Sequence, residues 1–172
     1  WKEEINLRGY NPTVMPNKLQ VERLLQAIEQ SERPVILAGA GVIHANAAEE
    51  LMEFVRRTKV PVVTTLLGLG GFPSGHDMWI GMPGMHGCYA ANKALQGCDL
   101  LISIGARFDD RVTMKVQGFA PHAKVAHIDV DPAEIGKTVP TDIPCVGDIK
   151  VVLQVALQKA RPARSEQWLD KI

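Results

Sequence analysis

Arg107, Asp109, Asp110 and Arg111 crowd into one short segment directly after the apolar run Leu100–Ile104. Guanidinium groups stay charged and present paired N–H donors, so Arg107 and Arg111 are suited to clamp phosphate oxygens. Gly105 removes a side chain at the point where a ligand would approach the backbone. The same four charges could equally form a surface ion-pair loop, and the residue types alone leave both readings open.

Other residues with chemistry to offer are scattered along the chain. Gly39-Ala40-Gly41 follows a short apolar run, as in folds that present backbone N–H groups to phosphate. The dinucleotide fingerprint G-x-G-x-x-G is incomplete, however: His44 stands where the third glycine belongs, and the expected acid further on is missing. A turn that merely packs a helix against a strand fits as well. In IGMPGMHG, residues 80–87, the thioethers of Met82 and Met85 could pad a planar ligand. His86 has no nucleophile or acid placed beside it, and Cys88 two positions on supplies none, so it reads as a binding or structural residue. Asp129, next to last in the run VAHIDV, falls 24 residues after the glycine turn at Gly105, and an acid at such a strand end can bind a ribose hydroxyl. Asp131 suits the N-cap of a short turn over 132–135, and Asp148 either caps a helix or holds part of a nucleotide. Thr64 and Thr65 could offer hydroxyls, or simply suit a strand.

Composition bounds these options. The chain has 172 residues, 46% hydrophobic and 22% charged, with nineteen basic residues balancing nineteen acidic ones. That describes one globular domain without the basic stripe of a nucleic-acid binder. No apolar run approaches the ~20 residues of a membrane span, and no signal peptide is visible. Cys88, Cys98 and Cys145 form no C-x-x-C pair, and the five histidines share no helix face, so neither a disulfide framework nor a metal site is expected. The start at Trp1 suggests a piece of a longer polypeptide.

The elements that must position these residues alternate between strand and helix. Residues 1–16, with Gly9, Pro12 and Pro16, read as a linker or arm. A helix is predicted over Lys18–Gln30, with Asn17 as N-cap and Val21, Leu24, Leu25 and Ile28 on its apolar stripe. Strands are predicted over 35–38, 60–67, Leu100–Ile104, 125–130 and Ile143–Val146, and helices over 47–57, 88–96 and from Asp148 onward. GLGGFPSG, residues 68–75, must turn tightly. The expected domain occupies 17–160, and 161–172 reads as a linker. The expected class is α/β, a three-layer, mainly parallel six-stranded sheet with helices on both faces, Rossmann-like.

The ordered set RGYNPT, PVILAGAG, PVVTTLLGLGGFP, GMPGMHGCYAAN, GARFDDRVT, HIDVDP and VGDI resembles the central domain of acetohydroxyacid synthase (acetolactate synthase) large subunits, a DHS-like nucleotide-binding fold. The resemblance runs from Arg8 to about Leu157, and GMHG with GARFDDRV is a specific combination. It implies an enzyme that uses thiamine diphosphate and magnesium to decarboxylate pyruvate and join the two-carbon fragment to pyruvate or 2-oxobutyrate, opening branched-chain amino-acid synthesis. The central domain of such enzymes holds FAD in a mainly structural part. By motif, Gly39, Ala40, Gly41, Thr65 and Leu66 would line the cofactor, with Met85 and His86 near the flavin. Gly105, Ala106, Arg107, Asp109, Arg111 and Val112 would contact the FAD backbone, and Asp129 and Asp148 would lie toward the adenosine end.

Two departures bear on this. Met114 stands where the family often has glycine after DDRVT. The thiamine-binding G-D-G with paired asparagines some thirty residues on is absent, since Ile149 follows Gly147-Asp148. The family's catalytic glutamate belongs to the preceding domain, so no catalytic residue is expected here. FDDRV also points away from the FAD-free catabolic enzymes. The resemblance further implies partner domains on both sides, a homodimer or tetramer, a small regulatory subunit, and a cytoplasmic (bacterial) location, or a plastid or mitochondrion in a eukaryote. A stand-alone nucleotide-binding or sirtuin-like NAD-dependent domain is the alternative; it would need a deep-pocket histidine and usually a zinc module that these cysteines cannot build.

Overall fold

The computed structural model describes residues 13–172, and six parallel strands run through the middle of it. The central two, β1 (Pro34–Ala38) and β4 (Leu100–Ile104), are buried along their whole length. Apolar β-branched runs of this kind belong in a sheet covered on both faces. β2 (Val62–Thr64) and β3 (Trp79–Gly81) lie on one side of β1, while β5 (Lys124–Asp129) and β6 (Ile143–Val146) continue beyond β4. The order is β3-β2-β1-β4-β5-β6. From β1 the chain winds outward to β2 and β3, then returns to lay β4 on the opposite side of β1. The winding therefore reverses between β1 and β4, where open α/β sheets leave a crevice at the carboxyl ends of the strands.

Pleating sends alternate side chains to opposite faces. Ile36, Ala38, Ile102, Ile104, Ala126 and Ile128 meet α1 (Lys18–Gln30), α3 (Ala48–Thr58) and α6 (Ile149–Leu157) in the larger core. Asn17 starts α1 by accepting from the Leu19 N–H at 2.9 Å. Fully buried Phe54 of α3 stabilises this core by about 1.5–3 kcal/mol relative to an exposed ring. Val35, Leu37, Leu101 and Val125 face the smaller core, covered by α4 (Tyr89–Gly97), Phe108 and Trp168.

The predicted three-layer parallel fold is present, with local corrections. The strand expected over 60–67 stops at Thr64. The Thr65 hydroxyl accepts from the Gly68 N–H at 3.1 Å and opens a 3-10 turn, Leu66–Gly68, leaving Leu66 and Leu67 exposed. The turn after β1 contains a short helix, α2 (Ala40–His44), before α3. β3 runs into the segment read as an irregular loop over 80–87. Asp131 does cap the turn after β5, accepting from the Ala133 N–H at 2.9 Å.

Of the arm expected over 1–16, residues 1–12, with most of RGYNPT, lie outside the described residues. The Val14 carbonyl accepts from the Asp148 N–H at 2.9 Å, which brings the following segment to the end of β6. Residues 161–172 include α7 (Glu166–Leu169) and lie against the domain. The Ala163 N–H donates to the Thr58 carbonyl at 2.8 Å, and Trp168 is buried over Gly97.

Candidate functional site

The crevice between β1 and β4 is built from backbone packed on backbone. The Gly39 N–H donates to the Ile104 carbonyl at 2.9 Å, the Gly41 N–H to Gly105 at 3.1 Å, and the Gly105 N–H to Ile128 at 2.9 Å. A Cβ on Gly39 would collide with the Gly105 carbonyl, and one on Gly41 would lie 2.7 Å from the Gly105 Cα. Gly105 itself holds φ +61. These glycines let two turns touch, and the Gly39 and Gly41 N–H groups are engaged inside the protein rather than turned outward.

On this base stands the elbow that follows β4. Arg107 and Arg111 are exposed, and neither forms an ion pair among the described residues. The carboxylates beside them do other work. Asp109 Oδ1 accepts from the Arg111 N–H at 3.1 Å and caps α5 (Asp110–Thr113), and Asp110 sits in its first turn, where a negative charge is favoured. The Thr113 hydroxyl donates to the Asp109 carbonyl at 3.0 Å, and Ser103 Oγ to the Ala106 carbonyl at 3.2 Å. The segment is thus an ordered bend that leaves two guanidinium groups uncommitted, rather than an ion-pair loop. The glycine turn after β1 lies against it.

Neighbouring segments adjoin the crevice on both sides. Toward β2, Gly68 packs under the Ala38 carbonyl so closely that no Cβ fits, and Leu66 projects at 67% exposure. The Met85 N–H donates to the Arg111 carbonyl at 3.0 Å, docking the GMHG loop on the elbow, and Gly84 could carry no Cβ against that carbonyl. Asn92 of α4 accepts from the Gly84 N–H at 2.8 Å and donates to its carbonyl at 3.1 Å. Met85 and His86 are left exposed on this loop, while Ala40 and Val112 are half-buried. Toward β5, Asp129 is buried and accepts from the Asp131 N–H at 2.9 Å through Oδ1. Asp148 follows β6, is half-buried, and accepts from the Val151 N–H at 3.1 Å as the cap of α6.

The structure therefore brings Gly39, Gly41, Met85, Gly105, Arg107 and Arg111 into one neighbourhood. Asp129 and Asp148 stand further along the same carboxyl edge, each with one oxygen already bonded. Sequence reasoning missed two residues beneath the elbow. Phe108 is buried at φ +53, and its ring meets His127 edge-on with centroids 5.0 Å apart. Burial holds the His127 imidazole below its ordinary pKa, against the opposing pull of the Asp129 carboxylate. A histidine inside the buried run VAHIDV was the available signal for it. Among the described residues no group of three or more histidine, cysteine or acidic side chains could hold a metal, and no helix is long and apolar enough to cross a membrane.

Comparison with known proteins follows the same outline. Residues 21–156 match the family described as the thiamine pyrophosphate enzyme, central domain. The probable acetolactate synthase large subunit of Methanocaldococcus jannaschii is 51% identical over 172 residues, 98% of this chain and 29% of that protein. The acetolactate synthase large subunit of Corynebacterium glutamicum is 47% identical over 99% of the chain and 28% of its own length. For acetolactate synthase isozyme 3 large subunit of Escherichia coli the figures are 42%, 100% and 30%. The chain spans less than a third of the length of these relatives.

Proposed function

The chain belongs to the central-domain family of thiamine pyrophosphate enzymes, and on that premise we propose that it is the FAD-holding middle domain of an acetolactate synthase large subunit. The observation that carries the cofactor reading is the meeting of two uncommitted guanidinium groups with the glycine turns at the point where the sheet reverses its winding. Dinucleotides lie across such a crevice, and arginine pairs suit a pyrophosphate. The residues present fit the group. Arg107 and Arg111 would hold its phosphates, and the exposed apolar surface of Leu66 and Met85 suits a planar ring. Asp129 and Asp148 each keep an oxygen for a ribose hydroxyl. Because the Gly39 and Gly41 N–H groups are engaged, the phosphate contact falls mainly on the arginines and not on the glycine turn. FAD brings a redox-active ring system, whose part in this enzyme class is mainly structural.

This chain's own task is binding and orientation. The parent enzyme would carry thiamine diphosphate and magnesium on its other domains and condense pyruvate with pyruvate or 2-oxobutyrate. A cytoplasmic location and a homo-oligomer with a small regulatory subunit belong to the same reading.

Titrating FAD into the full-length polypeptide and its Arg107→Ala variant tests the proposal. Loss of one charge-assisted phosphate contact should weaken binding by about 1.5–3 kcal/mol. Equal affinity for the two proteins would refute the assignment.

A further inference from the structure

His127 is fully buried on β5, yet neither of its ring nitrogens makes a well-formed hydrogen bond, the Ala106 backbone alone being placed to favour a ring proton through one. Buried polar side chains are nearly always satisfied, so this one calls for a reason. Its ring packs edge-on against Phe108 at 5.0 Å and 70°, and Phe108 in turn meets Phe119 at 5.7 Å and 71°. Phe108 is the residue between Arg107 and Asp109, and its φ of +53 is one that a bulky residue keeps only when its surroundings enforce it. The two aromatic contacts are that enforcement. Without them the bend has no reason to stay left-handed, and the guanidinium groups on either side of it lose their fixed direction.

The neighbours of the imidazole are settled by the sheet. Ser103 of β4 and Pro144 of β6 are its register partners, and Ala106 and Phe108 cover it from the elbow. The ionisable groups facing it are Asp129, with Oδ2 4.0 Å from Nε2, and Glu134 in the turn after β5. Burial outweighs both carboxylates and the Ala106 backbone hydrogen bond, and keeps the ring neutral at ordinary pH. Once protonated, it would be a buried cation pulling Asp129 away from the Asp131 N–H that this carboxylate now accepts.

We propose that His127 is a positioning residue for the dinucleotide site: its neutral ring seats Phe108 and thereby aims Arg107 and Arg111. The inference rests on the FAD reading above, and it adds to that reading a dependence of cofactor affinity on one buried proton site.

The test uses the full-length polypeptide as wild type, Phe108→Gly, Phe108→Leu and His127→Phe. FAD affinity is followed by flavin fluorescence from about pH 8 down to about pH 4, because burial sets the His127 transition below the ordinary histidine range. Amide hydrogen exchange across 105–113 is recorded without FAD. Phe108→Gly accepts the positive φ but has no ring. It should weaken FAD at least about tenfold and speed exchange in the elbow, while β1 and β4 keep their protection. Phe108→Leu should recover part of the loss. Wild-type affinity should fall on acidification, and His127→Phe should bind comparably at neutral pH and lack that acid limb. Should phenylalanine fail to pack, His127→Asn, which cannot titrate but also lacks the ring, should bind FAD more weakly than wild type at neutral pH and still lack the acid limb. Wild-type affinity in Phe108→Gly, or an unchanged acid limb in the His127 variants, overturns the proposal. Exchange in the elbow equally slow in wild type and Phe108→Gly overturns it whether or not FAD binds. A wild-type chain with the expected exchange pattern and no FAD binding at any pH overturns the cofactor reading instead.

Discussion

One face of the sheet is covered by α1, α3 and α6, helices of 13, 11 and 9 residues, and the hydroxyls buried there, Thr58 and Thr64, are both hydrogen-bonded. The opposite face has a single helix of comparable length, α4, and is otherwise closed by the four-residue helices α5 and α7 and by loops. The buried ring nitrogens without partners lie there, on His127 and Trp168, and Ser103 is buried on that side too. Left-handed Phe108 belongs to it as well. The first face has one stable way to pack. The second gives up apolar area to hold a bend, and the elbow carrying Arg107 and Arg111 grows from it. Regions with fewer buried apolar contacts open more readily, and binding segments are drawn from them.

That contrast can be broken first on the stable side. Phe54→Ala empties a fully buried site in the larger core and should cost about 3–5 kcal/mol in urea unfolding. FAD affinity of the folded protein should be unchanged. A loss of affinity without a loss of stability would erase the distinction between the faces.

Two buried thiols sharpen it next, one in each core. Burial pushes Cys145 of the larger core and Cys98 of the smaller one up to about 12, with Asp99 adding to the effect at Cys98. Both should therefore resist alkylation while exposed Cys88 reacts at once. At denaturant concentrations below the unfolding transition, Cys98 should label before Cys145; the reverse order would make the larger core the weaker one. A thiol whose folded pKa is raised favours the neutral form. This contribution to stability is complete below about pH 9 and is lost as the pH climbs toward about 12.

Smaller effects separate the ends of the site. Asp148→Ala removes the cap of α6 on the stable face and should cost about 1 kcal/mol of stability, read as a shift in the urea midpoint. Met114→Gly should act in the opposite sense. Met114 holds φ +52 and ψ −97, close to the first central residue of a type II′ turn, where glycine is favoured. Relief of that strain, less the extra freedom glycine gains when unfolded, should raise stability by up to about 1 kcal/mol. A decrease would mean that the Met114 side chain stabilises the loop after all.

Much of this was legible in the chain, and what was not has physical causes. The central strands and α1 could be read because buried runs and a four-residue apolar stripe leave little choice, and Asn17 and Asp148 announce their helices. Residues 60–67 misled because Leu66 and Leu67 continue an apolar run that is in fact exposed; the Thr65 hydroxyl turns the chain out of the sheet. β3 was hidden among glycines and prolines, since a three-residue edge strand is set by pairing with β2 and not by its own pattern. The crowding of Gly39 and Gly41 against Gly105 joins turns far apart in sequence, so no local motif could tell close packing from a phosphate cradle. The left-handed state of Phe108 escaped for the same reason. It depends on Phe119 and His127, which only the folded sheet brings to it. Met114 is the converse case: the glycine expected there by resemblance marks a backbone that methionine now tolerates under strain.

The central claim is that the elbow after β4 grips a dinucleotide. A crystal structure of the full-length polypeptide grown with FAD tests it most directly. The pyrophosphate should lie within about 3 Å of the Arg107 and Arg111 guanidinium groups at the carboxyl ends of β1 and β4. FAD bound elsewhere, with those two side chains turned into solvent or paired with Asp109 and Asp110, would contradict it.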